Sequence, residues 1–140
     1  FGGMFGALGF GWMARRIGRR PAFLIALLGC AIEIPLAFHF ATTYHMALLF
    51  FFGMGLVLML LLGGLTVYLP ELFPTRLRAT GTGFCYNVAR YLSAPSPAFF
   101  GQLSAAIGIQ RAALAVSSAF ILGIFVLPFA PETKGKPLPE

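Results

Sequence analysis

The chain has 140 residues, of which 59% are hydrophobic and only 10% are charged, and its mean hydropathy is +0.87. Because a soluble domain carries about a quarter of charged residues, this composition excludes a globule whose surface is covered by charged side chains. It indicates that lipid is much of the surrounding solvent and that the fold is all-α, a polytopic membrane helical bundle.

The predicted elements are membrane helices joined by short connections. A crossing needs about 20 mostly apolar residues, and four stretches within residues 21–130 satisfy this: 21–41, 46–69, 80–106 and 112–128. Before them, residues 1–14 have the character of the end of another membrane helix, with Gly2 and Gly6 spaced for close helix packing. We therefore expect a fragment that begins inside a membrane helix, with the N-terminal half of the same chain missing.

Basic residues concentrate in alternate connections. They are Arg15, Arg16, Arg19 and Arg20 in loop 15–20, Arg76 and Arg78 in loop 70–79, and Lys134 and Lys136 in tail 131–140. If each crossing changes side, all eight lie on the same side, and basic residues in short loops favour the cytoplasm. The pattern predicts a multi-pass protein of the cell membrane with a cytoplasmic C-terminus. The same pattern accounts for the net charge of +6, because the basic residues orient the chain in the lipid bilayer. No nucleic acid is therefore predicted as a partner.

One charged residue lies where hydrocarbon is expected. Arg90 is ten residues into the third predicted crossing, roughly 15 Å along a helix and near the middle of the membrane. Helical spacing places Asn87 and Tyr91 on the same stripe. A guanidinium at this depth suits a carboxylate substrate, so we predict that Arg90, Asn87 and Tyr91 bind substrate. The alternative is an arginine that extends to the cytoplasmic edge or pairs with a structural carboxylate.

Two further features of the crossings suggest transport. Pro95 and Pro97 follow Arg90 and are expected to kink the helix, as in the bent helices that border many transport sites. Glu33 is the one acid inside a crossing, and we predict that it couples protons. The alternatives are a neutral acid hydrogen-bonded between helices, or a partner for an arginine outside this chain.

Three further residues are candidates for binding or for structure. Tyr68 is a further candidate for substrate contact, or else a ring at the membrane interface. Cys30 and Cys85 have no metal-type spacing and are interpreted as small apolar side chains. No metal site, cofactor or enzymatic constellation is predicted, because the sequence contains no nucleophile–base pair, ligand cluster or phosphate-binding glycine loop.

Three motifs in order resemble the major facilitator superfamily. Residues 11–21 read GWMARRIGRRP, similar to the cytoplasmic loop pattern G-x-x-x-D-R-x-G-R-R, with Arg15 at the acidic position. Residues 69–81 read LPELFPTRLRATG, similar to the loop between the tenth and eleventh helices. Residues 131–135 read PETKG, similar to the tail signature of sugar-porter-like members.

The resemblance covers the whole chain and implies the C-terminal part of a twelve-helix fold, from the end of the eighth helix to the twelfth. It implies two halves that rock around a site at the membrane midplane, and cytoplasmic ion pairs that hold one state. By this analogy Glu71 and Glu132 pair with basic residues among a set of six: Arg15, Arg16, Arg19, Arg20, Arg76 and Arg78.

The segment that corresponds to the family's eleventh helix bears on the substrate class. Sugar porters usually have Asn-Trp there, whereas this chain reads Tyr86-Asn87-Val88-Ala89-Arg90, which is more similar to bacterial metabolite:proton symporters. We therefore expect a proton-coupled transporter of a small organic anion. A sugar or polyol porter of the same fold is the first alternative, and a non-transporting membrane receptor or scaffold is the second.

Overall fold

The computed structural model describes residues 1–134, and these form helices and no strand. In chain order the helices are α1 (Gly2–Ile17), α2 (Arg19–Phe40), α3 (Tyr44–Leu72), α4 (Arg78–Ser93), α5 (Ser96–Ile107) and α6 (Ile109–Val126), followed by the 3₁₀ turn Leu127–Phe129. Residues 135–140 of the predicted tail, with Gly135 and Lys136, lie outside the described residues. The all-α prediction is confirmed.

Three of these helices are long and apolar enough to cross a membrane by length and composition: Arg19–Phe40, Tyr44–Leu72 and the segment Ile109–Phe129. They match the first, second and fourth predicted crossings, with ends that differ by a few residues. Large apolar side chains remain exposed along all of them, as expected for helices that lie in lipid rather than water.

The third predicted crossing is divided into α4 and α5 at Ala94 and Pro95. Pro95 and Pro97 have no N–H to donate to the carbonyls four residues earlier, so the helical hydrogen bonds stop there. Ala94 and Pro95 nevertheless keep right-handed helical backbone angles, with φ, ψ of −55°, −37° and −75°, −10°. The prolines therefore interrupt the helix without reversing the chain, as the sequence predicted.

Two of the predicted loops are reduced in the structure to one non-helical glycine each. The predicted loops 15–20 and 107–111 are helical except at Gly18 and Gly108, whose φ angles are +106° and +87°. Glycine adopts such angles without a steric penalty, so one residue is enough to redirect the chain. The predicted loop 70–79 is also shorter than expected, because Pro70 and Glu71 belong to the last turn of α3.

Small residues allow α1 and α3 to lie side by side in the same direction. A Cβ on Gly2 would overlap the Phe52 carbonyl oxygen, and a Cβ on Gly6 would overlap that of Leu56. These glycines therefore permit backbone contact between the two helices. The prediction from Gly2 and Gly6 of a close helix contact is confirmed.

Helix α2 runs antiparallel to α3 and α6 and completes the core. Phe10 of α1 is fully buried and contacts Phe23 of α2, with 4.9 Å between ring centroids. Phe23 in turn meets Tyr68 of α3 edge-on at 5.4 Å. This aromatic row fixes where the C-terminus of α1, the N-terminus of α2 and the C-terminus of α3 meet. We call that side of the bundle, which carries Arg15, Arg16, Arg19 and Arg20, the basic end.

Candidate functional site

A cluster of charged side chains joins three segments at the basic end. Arg19, the first residue of α2, donates from Nε to Glu71 Oε2 at 3.1 Å and from Nη2 to Glu71 Oε1 at 2.7 Å. This two-bond geometry is the strongest that an arginine and a carboxylate form. The two side chains are only 16% and 17% exposed, so the pair is largely shielded from solvent.

The same guanidinium and carboxylate have further partners. Arg19 Nη1 donates to the Ala14 carbonyl oxygen at 3.2 Å, and the same oxygen accepts the backbone N–H of Gly18 at 3.1 Å. Thr133 donates its hydroxyl to Glu71 Oε2. The ion pair therefore connects the ends of α1, α2 and α3 to the segment that follows α6.

Glu132 caps the N-terminus of α2. Its Oε1 accepts the backbone N–H of Arg19 and its Oε2 that of Arg20, each at 3.0 Å, while Oε1 also accepts the Lys134 N–H at 3.1 Å. A carboxylate at this position satisfies helix N–H groups and interacts favourably with the helix dipole. Gly18 leaves room for it, since a Cβ there would lie 3.2 Å from Glu132 Oε2.

The cap determines the ionisation of Glu132. Burial raises the pKa of this carboxyl, but the backbone N–H groups of Arg20, Arg19, Lys134 and Thr133 outweigh burial and lower the pKa below its ordinary value. A lowered folded-state pKa means that the carboxylate stabilises the fold at pH values above the ordinary carboxyl pKa. That contribution is lost as the pH falls through the lowered pKa.

Substituting Glu132 with glutamine is expected to loosen the start of α2. The glutamine side chain keeps one acceptor oxygen, but its NH₂ group faces an N–H that had an acceptor, so at least one helix N–H is left unpaired. Losing a cap costs about 1 kcal/mol, which corresponds to roughly fivefold faster amide hydrogen exchange at Arg19 and Arg20. Exchange mass spectrometry of the full-length protein measures this. Gln102→Ala, on the exposed surface of α5 and away from this cluster, is the control and should leave both amides unchanged.

The other arginines predicted for the cytoplasmic ion pairs have different partners. Arg20 donates its Nε to the Ala130 carbonyl oxygen, and Arg78 donates from Nε to the Pro70 carbonyl oxygen at 3.0 Å. Arg15 binds the Gly11 carbonyl oxygen of its own helix. Within residues 1–134, the ion pair is Arg19 with Glu71.

Arg16 and Arg76 lie outside the cluster of carboxylates. The Arg16 guanidinium lies over the Trp12 ring, 4.5 Å from its centroid, and the Arg16 carbonyl oxygen accepts the Lys134 ammonium at 2.7 Å. Arg76 is exposed in the connection between α3 and α4. Of the eight residues predicted for cytoplasmic contacts, four form this cluster: Arg19 and Arg20 with the carboxylates of Glu71 and Glu132.

Tyr68 belongs to this cluster in space. Its side chain is 8% exposed, and its hydroxyl donates to the Pro131 carbonyl oxygen at 2.7 Å. The ring packs against Phe23 in the core. The sequence analysis considered Tyr68 for substrate contact or as an interfacial ring and did not connect it to the tail. Only its position three residues before Glu71, on the same face of α3, could have suggested the link.

The predicted substrate residues lie on an open face of α4. Arg90 is exposed, and its guanidinium has no hydrogen-bond or ion-pair partner among residues 1–134. Tyr91 is 79% exposed, while the exposed Asn87 donates its amide to the Gly83 carbonyl oxygen at 2.7 Å. The three side chains share one helix and are separate from the cluster at the basic end.

Glu33 lies between two helices in the middle of the bundle. It is partly buried, and a Cβ on Gly53 of α3 would overlap its carboxyl group. No donor among the described residues binds the carboxyl. The absence of a side chain at Gly53 therefore creates the space in which this acid lies.

Comparisons with known proteins found similar sequences over most of this chain. A family model described as "Sugar (and other) transporter" matches residues 37–140. No solved structure matches the chain.

Curated relatives are similar over most of this chain. A "Putative metabolite transport protein" of Haemophilus influenzae is 32% identical over 92% of this chain and 32% of its own length. A "Probable 4-methylmuconolactone transporter" of Cupriavidus pinatubonensis is 35% identical over 88% of this chain and 29% of its own length. The "Cis,cis-muconate transport protein" of Acinetobacter baylyi is 33% identical over 91% of this chain and 31% of its own length.

The chain thus spans about a third of the length of these relatives. The matched family and the relatives are described as transporters, which confirms that this is not an enzyme family. With three helices able to cross a membrane, the chain belongs to the sugar (and other) transporter family of the major facilitator superfamily.

Proposed function

We propose that the full-length protein is a secondary active transporter that moves a small organic anion together with protons by alternating access. The observation that carries this proposal is Arg90, a cation on the open face of a helix in a predicted crossing, without a partner among residues 1–134. A guanidinium in the membrane is costly unless it faces a cavity or a counter-charge. An anionic substrate would provide that counter-charge.

The relatives support a carboxylate as the substrate class. One carries the name of muconate and another that of a muconolactone. In the proposed site Arg90 binds the carboxylate with two hydrogen bonds, while Asn87 and Tyr91 contact the rest of the substrate. A neutral sugar or polyol is the second candidate, because the matched family is described first by sugar transport.

Replacing Arg90 with glutamine is expected to lower uptake of cis,cis-muconate by about ten- to hundredfold, since a hydrogen bond to a charged group contributes about 1.5–3 kcal/mol. Arg90→Lys should recover part of the activity, because it restores the charge but not the two-bond geometry. The measurement is uptake by the full-length protein in vesicles, compared with uptake of a neutral polyol.

Gln102→Ala is the matched control, because Gln102 is also polar and exposed in the same predicted crossing. It should leave uptake unchanged. Equal loss of carboxylate and polyol uptake in Arg90→Gln would argue for a structural role of the arginine. Polyol uptake without carboxylate uptake by the wild type would favour the sugar or polyol candidate.

We assign proton coupling to Glu33. Its carboxyl lies at the α2–α3 interface, against Gly53, without a bound donor among the described residues. An acid in that setting can bind a proton in one state of the transporter and release it in another.

Substituting Glu33 with glutamine fixes the neutral form and is expected to abolish substrate-driven proton uptake while retaining exchange of labelled for unlabelled substrate. A pH-sensitive dye inside the vesicles and a counterflow assay measure the two activities. Proton uptake at the wild-type rate in the variant would remove Glu33 from the mechanism. Absence of substrate-driven proton uptake in the wild type would indicate uniport, antiport or a non-transporting protein.

The cluster at the basic end is assigned to the cytoplasmic gate. We place this end, and the C-terminus with it, in the cytoplasm of a cell-membrane protein because its arginines and Lys134 lie together there. In this proposal the pair Arg19–Glu71, supported by Thr133 and Glu132, stabilises one of the two access states. The pair must then rearrange when the halves of the transporter rock.

A further inference from the structure

The end of the bundle opposite the basic end contains a second polar group of side chains. Helix α2 ends there with His39 and Phe40, and α6 begins there with Ile109, Gln110 and Arg111. Gln110 donates its amide to the Phe38 carbonyl oxygen at 3.4 Å, so the two helix ends are in contact. A groove of about 290 Å³ lies between them, with His39, Gln110 and Arg111 in its wall.

Arg111 has no counter-charge in this groove. Its guanidinium has no ion-pair or hydrogen-bond partner among residues 1–134. Of the described acids, Glu71 and Glu132 are at the basic end, and the Glu33 carboxyl lies against Gly53 on α3. Arg111 is in the first turn of α6, where the helix dipole is positive and no acidic residue is present. The local charge is therefore complementary to an anion.

The side chains that line the groove suit a lipid better than a free ion. Leu36, Phe40 and Leu114 line the same groove and are 37%, 52% and 55% exposed. Both helices are apolar enough to cross a membrane, and the polar group lies at their ends, which is the depth of lipid headgroups. A ligand that fits therefore has an anionic head next to Arg111 and an apolar chain along α2 and α6.

We propose that this groove binds the phosphodiester headgroup of an anionic phospholipid from the leaflet opposite the basic end. Arg111 binds the phosphate, with Gln110 and His39 contacting the headgroup and Leu36 and Leu114 contacting an acyl chain. The site is separate from Arg90 and from the cluster around Glu71.

The test uses the full-length protein in nanodiscs that contain a photoactivatable phosphatidylglycerol, followed by mapping of the labelled peptides. Label is expected on peptides that contain residues 36–40 or 109–114. Arg111→Gln should lower that labelling about fivefold, the ratio expected from about 1 kcal/mol per basic residue at an anionic lipid surface. Arg111→Lys should retain most of it. Arg76→Gln, at the basic end, is the matched control and should leave labelling of these peptides unchanged.

Several outcomes would overturn the proposal. One is labelling by an equivalent phosphatidylcholine as strong as that by phosphatidylglycerol, which would indicate an apolar contact without charge recognition. Another is loss of labelling when millimolar inorganic phosphate is added, which would identify a site for the free anion. Absence of label on both peptides in the wild-type protein would exclude the site without reference to any variant.

Discussion

Replacing Gly6 with alanine is expected to force α1 away from α3 and to destabilise the protein by about 3 kcal/mol, the upper part of the usual range for overpacking. The added Cβ would overlap the Leu56 carbonyl oxygen, and Gly2 makes the same kind of contact with Phe52 one turn earlier. The obstacle in both cases is backbone, which cannot rotate aside as a flexible side chain can. The helices must therefore separate, and contacts of Phe10 with the core are lost with them.

The measurement is the apparent melting temperature of the detergent-solubilised full-length protein, with the fraction of monodisperse protein as a second readout. Gly11→Ala is the matched control in the same helix, because no atom lies within 4 Å of a Cβ built there. Alanine favours a helix over glycine, so the control should be neutral or slightly stabilising. Equal melting temperatures for the two variants would show that α1 does not contact α3 as closely as described.

The sequence was informative about the helices because their determinants are local. Length of apolar sequence predicted four crossings, and three of the described helices are long and apolar enough to cross a membrane. Pro95 and Pro97 predicted the interruption between α4 and α5. The predicted connections at 15–20 and 107–111 were too long. Their polar residues indicated loops, but a single glycine with a positive φ is sufficient to redirect the chain at Gly18 and at Gly108.

Contacts between segments distant in the chain were harder to predict from the sequence. Six arginines were candidates for Glu71 and Glu132, and composition could not distinguish them. The choice of Arg19 for Glu71 depends on α2 starting immediately after Gly18, which turns Arg19 toward the C-terminus of α3. The role of Glu132 as a helix cap likewise depends on backbone N–H groups more than a hundred residues away in sequence. The sequence therefore predicts that opposite charges attract, but the positions of the helix ends determine which residues form the contacts.

Exchanging the charges of Arg19 and Glu71 tests whether this contact acts as a pair in the proposed gate. Each single reversal, Arg19→Glu or Glu71→Arg, places two like charges at the distance where the present pair forms hydrogen bonds of 2.7 and 3.1 Å. We expect each to lower uptake by at least about tenfold, because removing one partner of a largely buried pair is strongly destabilising. Since both side chains keep some solvent contact, this loss should be smaller than for a fully buried pair.

The double exchange is expected to restore uptake only in part, and the structure gives the reason. A glutamate at position 19 would lie beside Glu132, which receives the backbone N–H groups of α2, so two carboxylates would share one helix end. An arginine at position 71 would also lose the hydroxyl that Thr133 donates to the present carboxylate.

Adding Glu132→Gln to the double exchange should therefore raise uptake further, although Glu132→Gln alone weakens the cap. The measurement is substrate uptake by the four charge combinations at positions 19 and 71, each with Glu132 and with glutamine in its place. A coupling energy between positions 19 and 71 near zero would contradict the pairing. A harmful effect of Glu132→Gln that is the same in every background would show that the helix cap and the ion pair act independently.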